Sequence, residues 1–351
     1  MEAEYQVRKM LRTNIQDVLK LARPASKSRA SMAMSIGKHI AADLELRLAP
    51  QLQHQPQPRR SLRLAASQFL KDSQLAKHSI SKSDCAIHKA IGKSRAKLQN
   101  DEAYADHTRR LDYWFNGLKT WIMHDYWTNG ADRPERQMYR PMQAFHLFVA
   151  QFIRFHLGDT AQGNTQSGVV GPPRLILPYE HVDVKSFGTD DMTRSDIGLA
   201  VSKMDADAAL VEGRPYNNEQ FAVVEAKSSA SKAAAESAAG AALSTADEQD
   251  EKLDATTVQA FKQLFLYTRQ VYANQCDRRF MWGITACDTR VRACVATSGG
   301  ALASHEMDTS TEKGRREYIQ LLVDWSMCDW QQLGFDPSVR WLKNLNCWEI
   351  D

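Results

Sequence analysis

At 351 residues, 43% of them hydrophobic and 25% charged, the chain can bury a sizeable core in one large domain or two modest ones, and its composition singles out no function. The net charge of +3 is unevenly spread: residues 1 to 120 carry 22 Lys and Arg against 11 Asp and Glu, leaving 23 against 31 for the remainder. No run of about 18 apolar residues occurs and the start, MEAEYQVRKMLRTNIQDVLK, is charged, so neither a membrane span nor a signal peptide is expected.

Val7, Leu11, Ile15, Val18 and Ala22 recur at intervals of three and four, which predicts an amphipathic helix over 5–22 that stops near Pro24. From 25 to about 100 the chain is rich in Ser, Lys, Arg, Gln and Ala, with Phe69 as its only aromatic residue and a loop-like QLQHQPQPRR at 51–60. Residues 1–100 are therefore expected to form a basic N-terminal extension, partly helical or disordered and peripheral to the core. Its positive charge suits contact with nucleic-acid phosphates or, equally, a solvated helical surface.

Aromatic residues return at Tyr104, and the runs RLDYWFNGLKTWIMHDYW (110–127) and YRPMQAFHLFVAQFIRFHL (139–157) place large apolar side chains at helical spacing. The second run sets Met142, Phe145, Val149, Phe152 and Ile153 on one side, so 101–157 reads as a helical region leading into the core. His146 and His156 in it read as packed or exposed residues, not as metal ligands. After a Gly, Thr and Gln loop at 158–168 the pattern changes to short apolar runs: PRLILPYEHVDV, SDIGLAV and EQFAVVEAK predict three strands.

An Ala/Ser-rich, then acidic insertion follows at 228–254, and TTVQAFKQLFLYTRQVYANQ (256–275) predicts a long helix. RRFMWGITAC (278–287) and RVRACVATS (290–298) predict two further strands, EKGRREYIQLLVDWSMCD (312–329) a last amphipathic helix, and 331–351 a C-terminal tail. The core over 158–330 is thus expected to be α/β, with a mixed central sheet flanked by helices. The six cysteines, at 85, 276, 287, 294, 328 and 347, form no CxxC pair; this argues against a zinc site and suits reduced thiols in cytosol or nucleus.

Glu225 and Lys227 close the most apolar strand with Ala226 between them, and alternation sends both side chains to one face. Asp196 opens an earlier strand, 29 residues before Glu225, a separation that a hairpin closes. Two carboxylates and the Ala226 carbonyl are oxygen ligands of the kind Mg²⁺ prefers. A cation held there lowers the pKa of a bound water, while Lys227 positions that water or offsets charge on the phosphate. Taken alone, Glu-x-Lys is more often a surface pair of little energy. The apolar strand before it, the upstream Asp196 and the following helix raise its standing. That helix carries Gln263 and Tyr267 four apart, with Gln259 a turn earlier, opposite a packing stripe of Val258, Phe261, Phe265 and Thr268. Gln263 reads equally as a group that orients the lysine or a phosphate and as a solvent-facing residue.

Asp196, Glu225-Ala226-Lys227 and Gln263-x-x-x-Tyr267, in that order, resemble the RecB-like branch of the PD-(D/E)xK phosphodiesterase superfamily, with Ser195 where the pattern has Pro. The resemblance implies a restriction-endonuclease-like fold, Mg²⁺ or Mn²⁺ at Asp196 and Glu225, and Lys227 assisting the attack of water, with Gln263 and Tyr267 beside it. A narrower resemblance covers about 139–340: SDIGLAV, FAVVEAK, QLFLYTRQVYANQCDRRFMWGITAC and LGFDPSV look like the segment that precedes the kinase-like domain in the fungal-type protein kinase family. No DFG or HRD triplet occurs, and Asp351 stands where the kinase lobe of that family would begin, so no kinase activity is expected of these residues. Two functions remain as expectations, beside a blander one in which the chain is a helical interaction protein and its Glu-x-Lys is coincidental. One is a metal-dependent nuclease whose basic N-terminal region holds nucleic acid; the alternative is a catalytically silent nuclease-like module that binds a protein partner or regulates it. Neither involves a membrane.

Overall fold

The computed structural model describes residues 11–12, 15–53, 102–122, 136–163, 175–180, 183–185, 192–194, 196–202, 220–227, 255–275, 278–297, 300–336, 338–342 and 347–350. The basic stretch 54–101, the loop at 164–174 and the insertion at 228–254 lie outside the described residues. In chain order the elements are β1 (Leu11–Arg12), α1 (Ile15–Leu21), α2 (Lys27–Gln53), α3 (Glu102–Ile122), α4 (Arg136–Gly163), β2 (Leu175–Glu180), β3 (Asp183–Lys185), β4 (Met192–Arg194), β5 (Ile197–Ser202) and β6 (Gln220–Lys227). There follow α5 (Ala255–Asn274), β7 (Met281–Cys287), β8 (Arg290–Thr297), β9 (Gly300–Ala303), β10 (Met307–Asp308), α6 (Glu312–Met327), β11 (Val339–Leu342) and β12 (Cys347–Ile350).

Among the described residues the central sheet runs β1-β9-β8-β7-β6-β5-β2, with β10 paired to β8. The pairs β6–β7 and β1–β9 are parallel and the other pairs in this sheet antiparallel, so the sheet is mixed, as expected. The parallel β6–β7 pair requires a crossover, and α5 supplies it. β2 forms one edge of the sheet, a place where Pro178 removes no ladder donor from an inner strand.

Alternation along the strands splits the interior into two cores. Ala222, Val224 and Ala226 of β6, Trp282, Ile284 and Ala286 of β7, and Val291, Ala293 and Val295 of β8 share the larger core with α1, α2, α3, α4 and α6. Val223, Met281 and Cys294 point the other way and meet Phe261, Leu264 and Val271 of α5. Phe221 breaks the alternation and joins the larger core, in edge-to-face contact with Trp325. The cause is an irregular register: Leu199 pairs with Ala222 but Ala200 with Gln220, so Phe221 is the extra residue of a bulge.

Several details differ from the sequence expectations. The helix predicted over 5–22 is interrupted, because Leu11 and Arg12 pair in parallel with Ala301 and Leu302 of β9; among the described residues of that span only Ile15–Leu21 is helical. Helix α4 continues to Gly163, so the first residues of the loop expected at 158–168 are helical. The run PRLILPYEHVDV is divided between β2 and a separate β3–β4 pair, and the stretch expected to be a tail contains the antiparallel pair β11–β12. Helix α2, expected at the periphery, buries Ile36, Ile40, Leu44 and Leu48 in the larger core. No helix among the described residues is long and apolar enough to cross a membrane.

Candidate functional site

In a β-α-β crossover the helix runs back against its first strand, so α5 begins at the end of the sheet where β6 and β7 finish. The Thr257 hydroxyl in its first turn lies 3.8 Å from Cys287 Sγ, the last residue of β7. Gly283 in β7 lets α5 approach closely: a Cβ there would stand 2.8 Å from Leu264 Cδ2. The sheet end that carries Glu225 and Lys227 is therefore roofed by a helix seated tightly on the two strands.

At this end the chain brings together the four residues expected to form the centre of the site. Asp196 lies one step beyond the Ile197–Val224 pair of the β5–β6 ladder, level with Glu225. Its Oδ2 accepts the backbone N–H of Ala226 at 2.9 Å, so a side chain extends the ladder past its last backbone pair. Lys227 Nζ faces Glu225 Oε1 at 2.5 Å and donates to Ala226 O at 3.2 Å. All three charged residues are deeply placed, with exposures of 9% for Asp196, 1% for Glu225 and 8% for Lys227. Charges leave water at a cost of several kcal/mol each, which only close opposite charges and hydrogen bonds offset.

The reading of Glu225 and Lys227 as an exposed surface pair is thus incorrect for this chain, because the strand that bears them is the fifth of seven along the main path of the sheet and is covered on both faces. The donor set suits a hard divalent cation: two carboxylates and one carbonyl, all oxygen. Among the described residues no group of three or more His, Cys, Asp or Glu is arranged to hold a metal, so a cation at Asp196 and Glu225 would complete its shell with the Ala226 carbonyl and water.

The helix residues divide. Gln263 is half-buried, and its Oε1 is buried without a hydrogen bond among the described residues. Tyr267 is half-buried and packs on the α5 core. Gln259, a turn earlier, is exposed and does not share their setting. The packing stripe is Val258, Phe261, Leu264, Thr268 and Val271, with Phe265 only half-buried, because it stands about 100° round the helix from Leu264, which faces the sheet.

One residue at the site escaped the sequence reading. Tyr139, in the first turns of α4, is buried and donates its hydroxyl to Asp196 Oδ1 at 2.5 Å. It lies 57 positions from Asp196, and its one signal in the sequence is its place as the first aromatic residue of an apolar helical run. Nearby, Trp121 of α3 donates its indole N–H to Asp288 O at 2.9 Å, and the Asp288 N–H donates to Lys227 O at 2.9 Å. The helix layer thereby braces the β7–β8 turn, where Asp288 adopts a φ of 55°, against the end of β6.

A family model described as fungal protein kinase matches residues 220–351. That part of the chain is similar to the family, as expected from the runs FAVVEAK to LGFDPSV. The match takes in Glu225, Ala226, Lys227, Gln263 and Tyr267 and begins after Asp196 and Tyr139. No curated protein and no solved structure matches the chain.

Proposed function

We propose that the chain is a divalent-cation-dependent phosphodiesterase acting on nucleic acid, of the PD-(D/E)xK kind, with Mg²⁺ or Mn²⁺ at Asp196, Glu225 and the Ala226 carbonyl. The observation that carries this reading is the convergence of Asp196, Glu225 and Lys227, buried together at one end of two adjacent strands although a stretch of chain separates the first from the others. The succession α4, β2, β5, β6, α5, β7, with β6 and β7 parallel, supports it as a restriction-endonuclease-like core. When bound, the cation supplies charge neutralisation and a more acidic water.

The chain's own groups do the rest. Asp196 and Glu225 present oxygens from neighbouring strands, and their burial keeps bulk water from screening them. Lys227, released from Glu225, holds the attacking water and offsets negative charge on the phosphate. Gln263 has an amide oxygen available to orient the lysine or that water, and Tyr267 buttresses the helix that carries it. The basic residues expected to hold the polyanion fall largely outside the described residues; of those described, Arg47 pairs with Asp43 and Asp112, and Arg29 bonds Met327 O.

A second reading is favoured by one observation. The Lys227 ammonium already sits on Glu225 Oε1 and Ala226 O, two of the three oxygens assigned to the cation. A site closed in this way fits a silent module that regulates or docks on a protein partner, in keeping with the similarity to fungal protein kinases. One pair of measurements separates the two. The nuclease reading expects Mn²⁺-dependent cleavage of DNA or RNA that drops about 100-fold or more in Lys227→Ala. It also expects calorimetric Mn²⁺ binding that Asp196→Ala and Glu225→Ala each abolish. Absent binding, or binding indifferent to both substitutions, leaves the silent module.

A further inference from the structure

We infer that Tyr139 is the positioning residue of Asp196 for a divalent cation, an assignment that rests on the cation site proposed above. Asp196 stands before the first residue of β5, outside the regular ladder, so strand geometry alone does not fix the direction of its carboxylate. Two donors fix it instead. The Ala226 N–H of β6 holds Oδ2 at 2.9 Å, and the Tyr139 hydroxyl of α4 holds Oδ1 at 2.5 Å. An O–H donor to a carboxylate at this distance is a charge-assisted bond, about twice as strong as a neutral one.

The arrangement leaves ligand capacity intact. Each carboxylate oxygen has two lone pairs, so Oδ1 and Oδ2 each retain one after accepting a hydrogen bond. With both oxygens held, the carboxylate cannot turn about χ2 without breaking a bond inside the protein, and it enters cation binding already oriented. Tyr139 acts through Asp196, the carboxylate to which its hydroxyl donates. The hydroxyl also needs a partner wherever it is buried, and a helix-layer carbonyl would serve for stability alone. The bond to Asp196 instead couples α4 to the site.

Partners that orient metal ligands are typically worth about 10–100-fold in metal affinity. The test is Mn²⁺ titration of the full chain, by calorimetry and by the Mn²⁺ electron paramagnetic resonance signal, in four forms. These are wild type, Tyr139→Phe, 4-fluorophenylalanine at position 139, which keeps the ring and a para atom but cannot donate, and 4-aminophenylalanine there, which restores an N–H donor. We expect Mn²⁺ affinity to fall about 10-fold or more in the two forms without a donor and to return to within about threefold of wild type with the amine. If the two donor-free forms bind as tightly as wild type, or the amine is as weak as they are, the assignment to Tyr139 is overturned while the cation site stands. If wild type shows no Mn²⁺ binding that Asp196→Ala removes, the cation site itself falls and the assignment with it. The fluorinated ring preserves the packing of Tyr139, so the comparison survives if Tyr139→Phe does not fold.

Discussion

Lys227 and Glu225 face each other at 2.5 Å with almost no exposure, so the ion pair is a debt of desolvation settled only while both charges are present. Lys227→Met takes the ammonium away from a buried carboxylate and is expected to lower unfolding stability by about 3–5 kcal/mol, read from urea denaturation. Lys227→Met combined with Glu225→Gln should recover much of that loss; equal losses in the single and double variants would mean that the pair is not the source. Two other buried groups give the chain a pH signature. Burial pushes the Asp324 carboxyl up to about 7 from its usual 3.8, against the Gln320 hydrogen bond and the Arg23 charge, which pull it down. Between about pH 4 and pH 7 the folded state therefore holds more protons on this group than the unfolded state, and its contribution to stability declines as pH rises through that window. Asp324→Asn should remove this slope. His146, bonded through Nε2 to the Tyr318 hydroxyl at 2.6 Å, is pushed down to about 3 by burial. Its contribution has the opposite sign, complete above about pH 6.5 and lost as pH falls toward 3. Unfolding free energies measured at half-unit intervals from pH 4 to 8 in wild type and Asp324→Asn check both signs.

At the scale of elements, the seat of α5 on β6 and β7 decides where Gln263 and Tyr267 sit relative to the strand end. Gly283→Ala places a methyl group against the fully buried Leu264 and is expected to cost about 1–3 kcal/mol by overpacking, with a shift of α5 away from the sheet. A crystal structure of that variant with α5 unmoved, together with unchanged thermal stability, would contradict this account of the close approach. Elements of strong period were legible in the sequence: α5, β7, β8 and α6 lie within a few residues of the spans that spacing predicts. Elements made by pairing were not. Leu11 and Arg12 fit a helical spacing but are held by β9, and the bulge at Phe221 arises from the register between β5 and β6, which no local pattern encodes.

Across the whole molecule, α2 is tied to α6 by a buried bidentate pair in which Arg315 Nε and Nη2 donate to Glu45 at 2.6 and 2.7 Å. The residues are 270 positions apart, so the N-terminal helix and the last helix of the core share one interior. Arg315→Ala leaves the Glu45 charge uncompensated inside the protein and should cost about 3–5 kcal/mol, whereas Glu45→Met with Arg315→Met should be close to neutral. Urea unfolding of wild type and the two variants decides it; a small loss in Arg315→Ala would mean that α2 contributes little. The candidate site has the same character. Glu225, Ala226 and Lys227 were legible because they stand at consecutive positions of one apolar strand, where alternation alone sets their face. The sequence by itself determined the period of the helices and strands, the α/β class and the strand-borne half of the site, since these follow from backbone geometry repeated over neighbouring residues. Only the tertiary structure decided that Asp196 meets Ala226, that Tyr139 reaches Asp196 from α4, and that α2 belongs to the core. Those contacts join residues tens to hundreds of positions apart, and the free energy that selects them lies in burial and in hydrogen bonds completed only when the layers close.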